Sequence, residues 1–571
     1  MNVSTKAEPR LRSAISKANL RRRSLKTIFS LRPSSSYNIE GGTTIGYINA
    51  DILREIADYL PASDILSLSL TSRQLQTLLQ PALYETVVLK SSKSCRKTLR
   101  MFQNNRHLCQ HIKKFAVRPN YYLSWPQQDE TLDENWVVDR LVDLSKDFVL
   151  LTTFDWDGLE LPNDRLWDHL RLNCPLLKSV FTNVGEKPLE PESALFSFDD
   201  LIGLSIIVRH GLSGSDMFPL PEKLPPRLWD MILNRCPNLE ELAICSFSAS
   251  SRIFDFDRVT EGNWPSLNSI TLGSFGYNAE FNLGPSSALT DGRLCAFLEA
   301  HTSIKYIRFL WNFKRWMSPD EVVMANPKQG HEFSPRALPA LETYIGIHQQ
   351  LSEFPTPSSI ETLDLTCEPL YESRLTSVCD RLSKLTKLTS LDLWIQVLDS
   401  PNRDHTCFFR AIVLSCPNLT DLHIMCTTSF SVKPLKQLLV QLKRLTNLKR
   451  FSLTKGHKYL DEAMLETAVR VIKDSPRLKQ VTVRWARETC PNHLKQEGVY
   501  DVVCDRDGHP ESLMVVERGI PLVGPAFRRR YTHKLPVLAH QASVSEFHRS
   551  MTKSTRVVRK RMSSIWSVTS V

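Results

Sequence analysis

Paired cysteines are the first thing the sequence lacks. The chain has 571 residues and thirteen cysteines, but no two stand at CxxC spacing, which the common zinc and redox motifs require. Cys416, His423 and Cys426 come nearest to a metal cluster. Cys416 opens a repeat and His423 falls inside a strand, so the cysteines are expected to be reduced core residues. No stretch approaches the roughly 18 uninterrupted apolar residues of a membrane span. No apolar run follows the first basic residues, so no secretory signal is expected. The GxSxG elbow, the phosphate-cradling P-loop, HExxH and GxGxxG are all missing. Neither an enzyme, a cofactor nor a small-molecule substrate is therefore expected.

Acids are scarce at the two ends. Residues 1–39 hold nine Lys or Arg against Glu8, and residues 535–571 hold six against Glu546. The tails thus carry +8 and +5 of the net +11, which leaves the body at −2. A nearly neutral body is not a nucleic-acid binder, and neither nucleic acid nor membrane is expected as a partner. Basic tails are usually solvated, so residues 1–44 and 535–571 are expected to be disordered. The run Arg21–Arg22–Arg23–Ser24–Leu25–Lys26 fits a nuclear import signal, and the Arg/Ser-rich, acid-poor first 36 residues also fit a transit peptide. The domain that follows points instead to the cytoplasm, the nucleus or both.

What is present is a repeat. The pattern apolar-x-x-apolar-x-apolar occurs at Leu151, Leu239, Leu267, Ile304, Ile360, Leu388, Leu419, Leu448 and Leu478, with weaker copies at Ile112, Leu177, Leu201 and Leu341. The last five strong copies start 28, 31, 29 and 30 residues apart, close to the length of a leucine-rich repeat. Amphipathic helical stretches lie between them. One strand and one helix are too small to own a core, so the units must stack, with a curved parallel sheet inside and helices outside. A doubly wound sheet would show continuous apolar strands rather than this gapped pattern. The expected class is α/β: an irregular leucine-rich-repeat solenoid over 91–496, with insertions near 118–145 and 311–337. Val499–Val503 and Leu513–Val516 flank Asp505–Arg506–Asp507–Gly508, a hairpin signature, so 497–534 is expected to cap the last repeat.

Residues 45–90 differ. Ile48, Ile52, Leu53, Ile56 and Leu60 recur at helical spacing, with Asn49 as N-cap and Asp51 near the positive end. Pro61 stops this helix. Ser63 or Asp64 is expected to cap a second helix with Ile65, Leu66 and Leu68. A third starts near Ser72, carries Leu75, Leu78 and Leu79, and is expected to break at Pro81. The order Ile48-Asn49-Ala50-Asp51-Ile52-Leu53-Arg54-Glu55-Ile56, then Tyr59-Leu60-Pro61-Ala62-Ser63-Asp64-Ile65-Leu66 and Leu68-Ser69-Leu70-Thr71-Ser72-Arg73, resembles the F-box. Asn49 replaces the family's proline, and Leu75 stands where many members carry tryptophan.

The resemblance implies a non-catalytic adaptor of an SCF-type ubiquitin ligase. The three-helix F-box would dock on a Skp-family subunit through Ile48, Ile52, Leu53, Ile56, Leu60, Pro61, Ile65, Leu66 and Leu68, and through it reach cullin and RING subunits. The repeat domain would hold a protein substrate. The x positions of the strands are expected to face a partner: Glu240, Glu241, Glu361, Asp364, Asp392 and Asp421 make the middle acidic, while Lys449, Arg450, Lys479 and Arg484 make the end basic. A substrate basic in its central part is the expectation. A repeat scaffold outside any ligase is the alternative.

Overall fold

A computed structural model describes residues 49–120, 131–185, 187–208, 221–246, 253–255, 257–274, 293–310, 337–351, 359–397, 404–426, 430–456, 464–487, 490–505, 509–516 and 541–543. Ile48, the arm 1–44, the tail 535–571 apart from Gln541–Ser543, and the proposed insertion at 311–336 lie outside the described residues. The chain separates into an N-terminal unit ending at Leu53 and a large unit from Arg54 onward.

Among the described residues, beside a separate parallel pair at Pro221–Lys223 and Ile253–Asp255, fourteen parallel strands of one sheet pair in chain order. They are β1 (Thr86–Leu89), β2 (Lys114–Val117), β3 (Thr153–Trp156), β4 (Ser179–Val184), β5 (Gly203–Val208), β6 (Glu241–Ser246), β7 (Ser269–Ser274), β8 (Tyr306–Leu310), β9 (Thr343–Ile345), β10 (Thr362–Leu370), β11 (Ser390–Ile395), β12 (Asp421–Cys426), β13 (Arg450–Gly456) and β14 (Gln480–Arg487). Every one of the thirteen pattern copies leads into one of these strands. Strict neighbour-to-neighbour order is what stacked repeats produce.

The pattern's apolar residues form the core. Leu363, Leu391, Leu422 and Phe451 are register partners across β10–β13, and all are buried. Helices pack on the same sheet face. Thr406–Ser415 buries Phe408, Phe409, Ile412 and Val413, and Val432–Leu442 buries Leu435, Leu438, Leu439 and Leu442. The spacing is i, i+1, i+4, i+5 in the first and i, i+3, i+4, i+7 in the second, each one helical stripe, and strand and helix residues join a single cluster. Each fully buried Leu or Phe contributes about 1.5–3 kcal/mol.

Three sequence expectations change. Strand β1 lies inside 45–90: it pairs with β2, Val87 opposite Phe115, and so opens the sheet. Residues 118–145 are not simply an insertion, because helix Glu134–Leu144 buries Val137, Val138, Leu141 and Leu144 in the core as a repeat helix does. The hairpin begins earlier than 497. Strand β15 (Cys490–Cys504) runs antiparallel to β14 and to β16 (Pro510–Val516). Tyr500 of β15 and Leu513 of β16 enter the core, so the last parallel edge is covered, which an open edge strand needs.

Candidate docking surface

The N-terminal helices are set by local chemistry. Helix α1 (Ala50–Asp58) starts where Asn49 Oδ1 accepts the Asp51 N–H at 3.0 Å, with the Asp51 carboxylate in the first turn. Helix α2 (Ala62–Ser69) starts one residue before the expected caps. Its first-turn carbonyl is that of Pro61, held extended at ψ 149°, which accepts from Asp64 and Ile65. Ser63 and Asp64 therefore sit inside the helix. Helix α3 (Arg73–Tyr84) is capped by Ser72, whose hydroxyl accepts the Leu75 N–H at 3.1 Å.

Pro81 does not end α3, which continues to Tyr84. An interior proline costs about 3 kcal/mol. Burial on both sides offsets it: Leu75 and Leu79 are buried ahead of it, and beyond it the Tyr84 ring meets Phe102 edge-on at 6.2 Å.

Ile48 lies outside the described residues, and burial divides the other eight residues expected to dock. Leu53 (2% exposed) and Ile65 (6%) are core residues and present no surface. Leu60 and Leu68 are half-buried, and Pro61 is exposed. Ile52, Ile56 and Leu66 are exposed, at 56%, 39% and 41%. Two further apolar residues were not singled out: Tyr59 and Leu70, at 82% and 70%. Their signal was spacing. Ile52, Ile56 and Tyr59 fall at i, i+4 and i+7, and Leu66 and Leu70 at i and i+4, so each helix has a second apolar stripe beside its buried one. Ile56, Tyr59, Leu66 and Leu70 thus leave large apolar side chains uncovered on the two helices.

The sheet face opposite the helices is less open than expected. Glu240, Glu361 and Lys449 are exposed, and Glu241 and Asp392 are half-buried. Asp421 is half-buried and ion-paired with the exposed Arg450, its register partner. That pair neutralises charge where the acidic and basic regions were expected to meet.

Asp364, expected to face a partner, is only 3% exposed, and Arg484 is buried too. Asp364 accepts from the Thr366 backbone at 2.9 Å and from its hydroxyl at 2.6 Å. Asp392 is its register partner on β11, and His423 is the register partner of Asp392 on β12. Burial, then the neighbouring Asp392 charge, raise the Asp364 pKa to about 6. His423 Nδ1 lies 3.4 Å from Asp392 Oδ2, and its Nε2 2.8 Å from the Thr454 hydroxyl. Nearer the N-terminus the same kind of position is closed by Arg118 and Asp157, both buried, with Nε and Oδ2 3.2 Å apart. Alternating patterning gives the face of a side chain but not whether neighbours on that face cover it.

Comparison with known proteins matches residues 48–80 to the F-box domain. No curated protein matches the sequence. The solved structures similar to the chain include two at low scores. The yeast Rad7–Elc1 complex has a chain 10% identical, with a TM-score of 0.38, over 79% of this chain and 96% of that one. The leucine-rich repeat-containing protein LegL7 from Legionella pneumophila is 14% identical, with a TM-score of 0.29, over 53% of this chain and 90% of that one.

Proposed function

On the premise that the chain carries an F-box domain ahead of a leucine-rich-repeat-like array, we propose that it is the substrate-recognition subunit of a cullin–RING ubiquitin ligase. In this reading the F-box docks on a Skp-family adaptor and the repeats hold a protein substrate. The observation that carries the reading is the apolar exposure of Ile56, Tyr59, Leu66 and Leu70 within or beside the matched helices. Docking there is apolar helix packing against the adaptor's helices. The chain itself performs no bond chemistry in this scheme. It raises the effective concentration of substrate lysines near a charged ubiquitin carrier supplied by other subunits. The work takes place in the cytoplasm, the nucleus or both.

Affinity purification of the full chain beside an Ile56→Asp, Leu66→Asp variant tests this, with bound proteins identified by mass spectrometry. Wild type should retain the adaptor and a cullin, and the variant should lose both while keeping substrate candidates. Recovery of the adaptor without a cullin would favour a scaffold outside any ligase. Absence of both would remove the adaptor reading.

A further inference from the structure

Helix Ser92–Asn104 is the first repeat helix after the F-box and contains no acid. It buries Cys95, Leu99 and Phe102. On its other side Lys93, Arg96, Lys97 and Arg100 are all exposed. These four stand at i, i+3, i+4 and i+7, one stripe about 10 Å long. Like charges at those spacings repel and weaken the helix. Lys93 adds a cation to the first turn, where the helix dipole disfavours it.

No ion pair joins Lys93, Arg96 or Lys97 to an acid among the described residues, whereas several arginines of the repeats are paired. Arg106 pairs with Asp143 and Asp147, Arg165 with Asp139, Arg227 with Glu192, and Arg235 with Asp199 and Asp230. A helix that keeps four repelling cations, on a body of net charge near zero, implies an anion from outside the chain.

We propose that this stripe docks an acidic polypeptide segment, rich in Asp and Glu, from a partner protein. Two observations favour protein over nucleic acid. The stripe is one helix wide and about 10 Å long, a length that a short segment of chain covers. The nearby Trp136 ring already has Arg100 and Arg140 guanidinium groups at 5.9 and 5.6 Å, so it offers no free platform for base stacking. An acidic segment with carboxylates one helical turn apart matches the spacing of the cations.

The test is fluorescence anisotropy of the full chain with a labelled fifteen-residue peptide of alternating Glu and Asp. A Gln-substituted peptide, a 20-base DNA single strand and a 20-base-pair duplex are the comparison probes. The basic tails are common to every variant, so differences report the stripe alone. Replacing Lys93, Arg96, Lys97 and Arg100 by Gln should weaken acidic-peptide binding at least about tenfold, and Arg96→Gln alone about threefold. The fourfold variant should melt close to wild type, because the repulsion it removes offsets the lost Arg100–Trp136 contact. Exchanging Lys for Arg and Arg for Lys at the four positions should preserve binding. Three results would overturn the proposal: no acidic-peptide binding by wild type, affinity within twofold in the fourfold variant, or a larger loss for either DNA than for the peptide.

Discussion

Replacing Asp364 by Asn should make the protein more stable at neutral pH, although it removes a residue buried in a polar cluster. The carboxyl is 3% exposed and sits beside Asp392 on the next strand. Its folded-state pKa is raised from 3.8 to about 6, first by burial and then by Asp392. A raised carboxyl pKa means that protonation favours the fold. The stability it contributes is complete below about 3.8 and is lost as pH rises through about 6. At pH 7.5 the ionised Asp364 therefore costs about 1–3 kcal/mol. Asparagine removes the charge but keeps an oxygen to accept from the Thr366 N–H and hydroxyl. Urea unfolding of wild type and Asp364→Asn at pH 7.5 and pH 4.5 measures this. The variant should gain about 1–3 kcal/mol at pH 7.5, with most of that gain gone at pH 4.5. A variant less stable than wild type at pH 7.5 would refute the reasoning, because it would mean that the ionised carboxylate stabilises the fold.

Acid should have the opposite effect through His348, whose pKa burial and Arg381 lower from 6.5 to about 4. Its stability contribution is complete above about 6.5 and lost as pH falls toward 4, about 3 kcal/mol in all, so His348→Gln should flatten the acid limb of stability against pH in urea titrations. Phe115 is buried and meets Phe102, Phe148 and Phe154 edge-on at 6.3, 5.4 and 6.4 Å. Phe115→Ala should cost about 3–5 kcal/mol in chemical denaturation, whereas Tyr59→Ala should stay within about 0.5 kcal/mol of wild type. Ser72→Ala removes the α3 cap and should cost about 1 kcal/mol by the same measurement.

The repeat architecture was legible because its signal is periodic and redundant. Thirteen copies of one gapped pattern located thirteen strands. The fourteenth carries the pattern too, as Tyr84-x-x-Val87-x-Leu89. Its strand follows closely on Pro81, where the sequence predicts a helix break, whereas tertiary packing of Tyr84 carries the helix across it. The C-terminal hairpin was visible in its turn residues, but the start of β15 was not, since 490–496 has no clear alternation. The docking surface was legible only in part. Apolar spacing on α1 and α2 marks two stripes, and only packing decides which is spent in the core. Thus Leu53 and Ile65 turned inward while Tyr59 and Leu70 stayed exposed. Asp364 shows the limit most clearly: the pattern put it on the correct sheet face, and side chains from adjacent strands buried it there.

The central claim is that an exposed apolar face of the F-box helices binds a Skp-family adaptor. Calorimetric titration of the purified adaptor into the full chain tests it directly, with wild type beside a Tyr59→Asp, Leu66→Asp variant shown to unfold at the same urea concentration. Saturable binding to wild type and a loss of at least about a hundredfold in the variant is the predicted result. No binding to wild type, or equal binding to both, would contradict it.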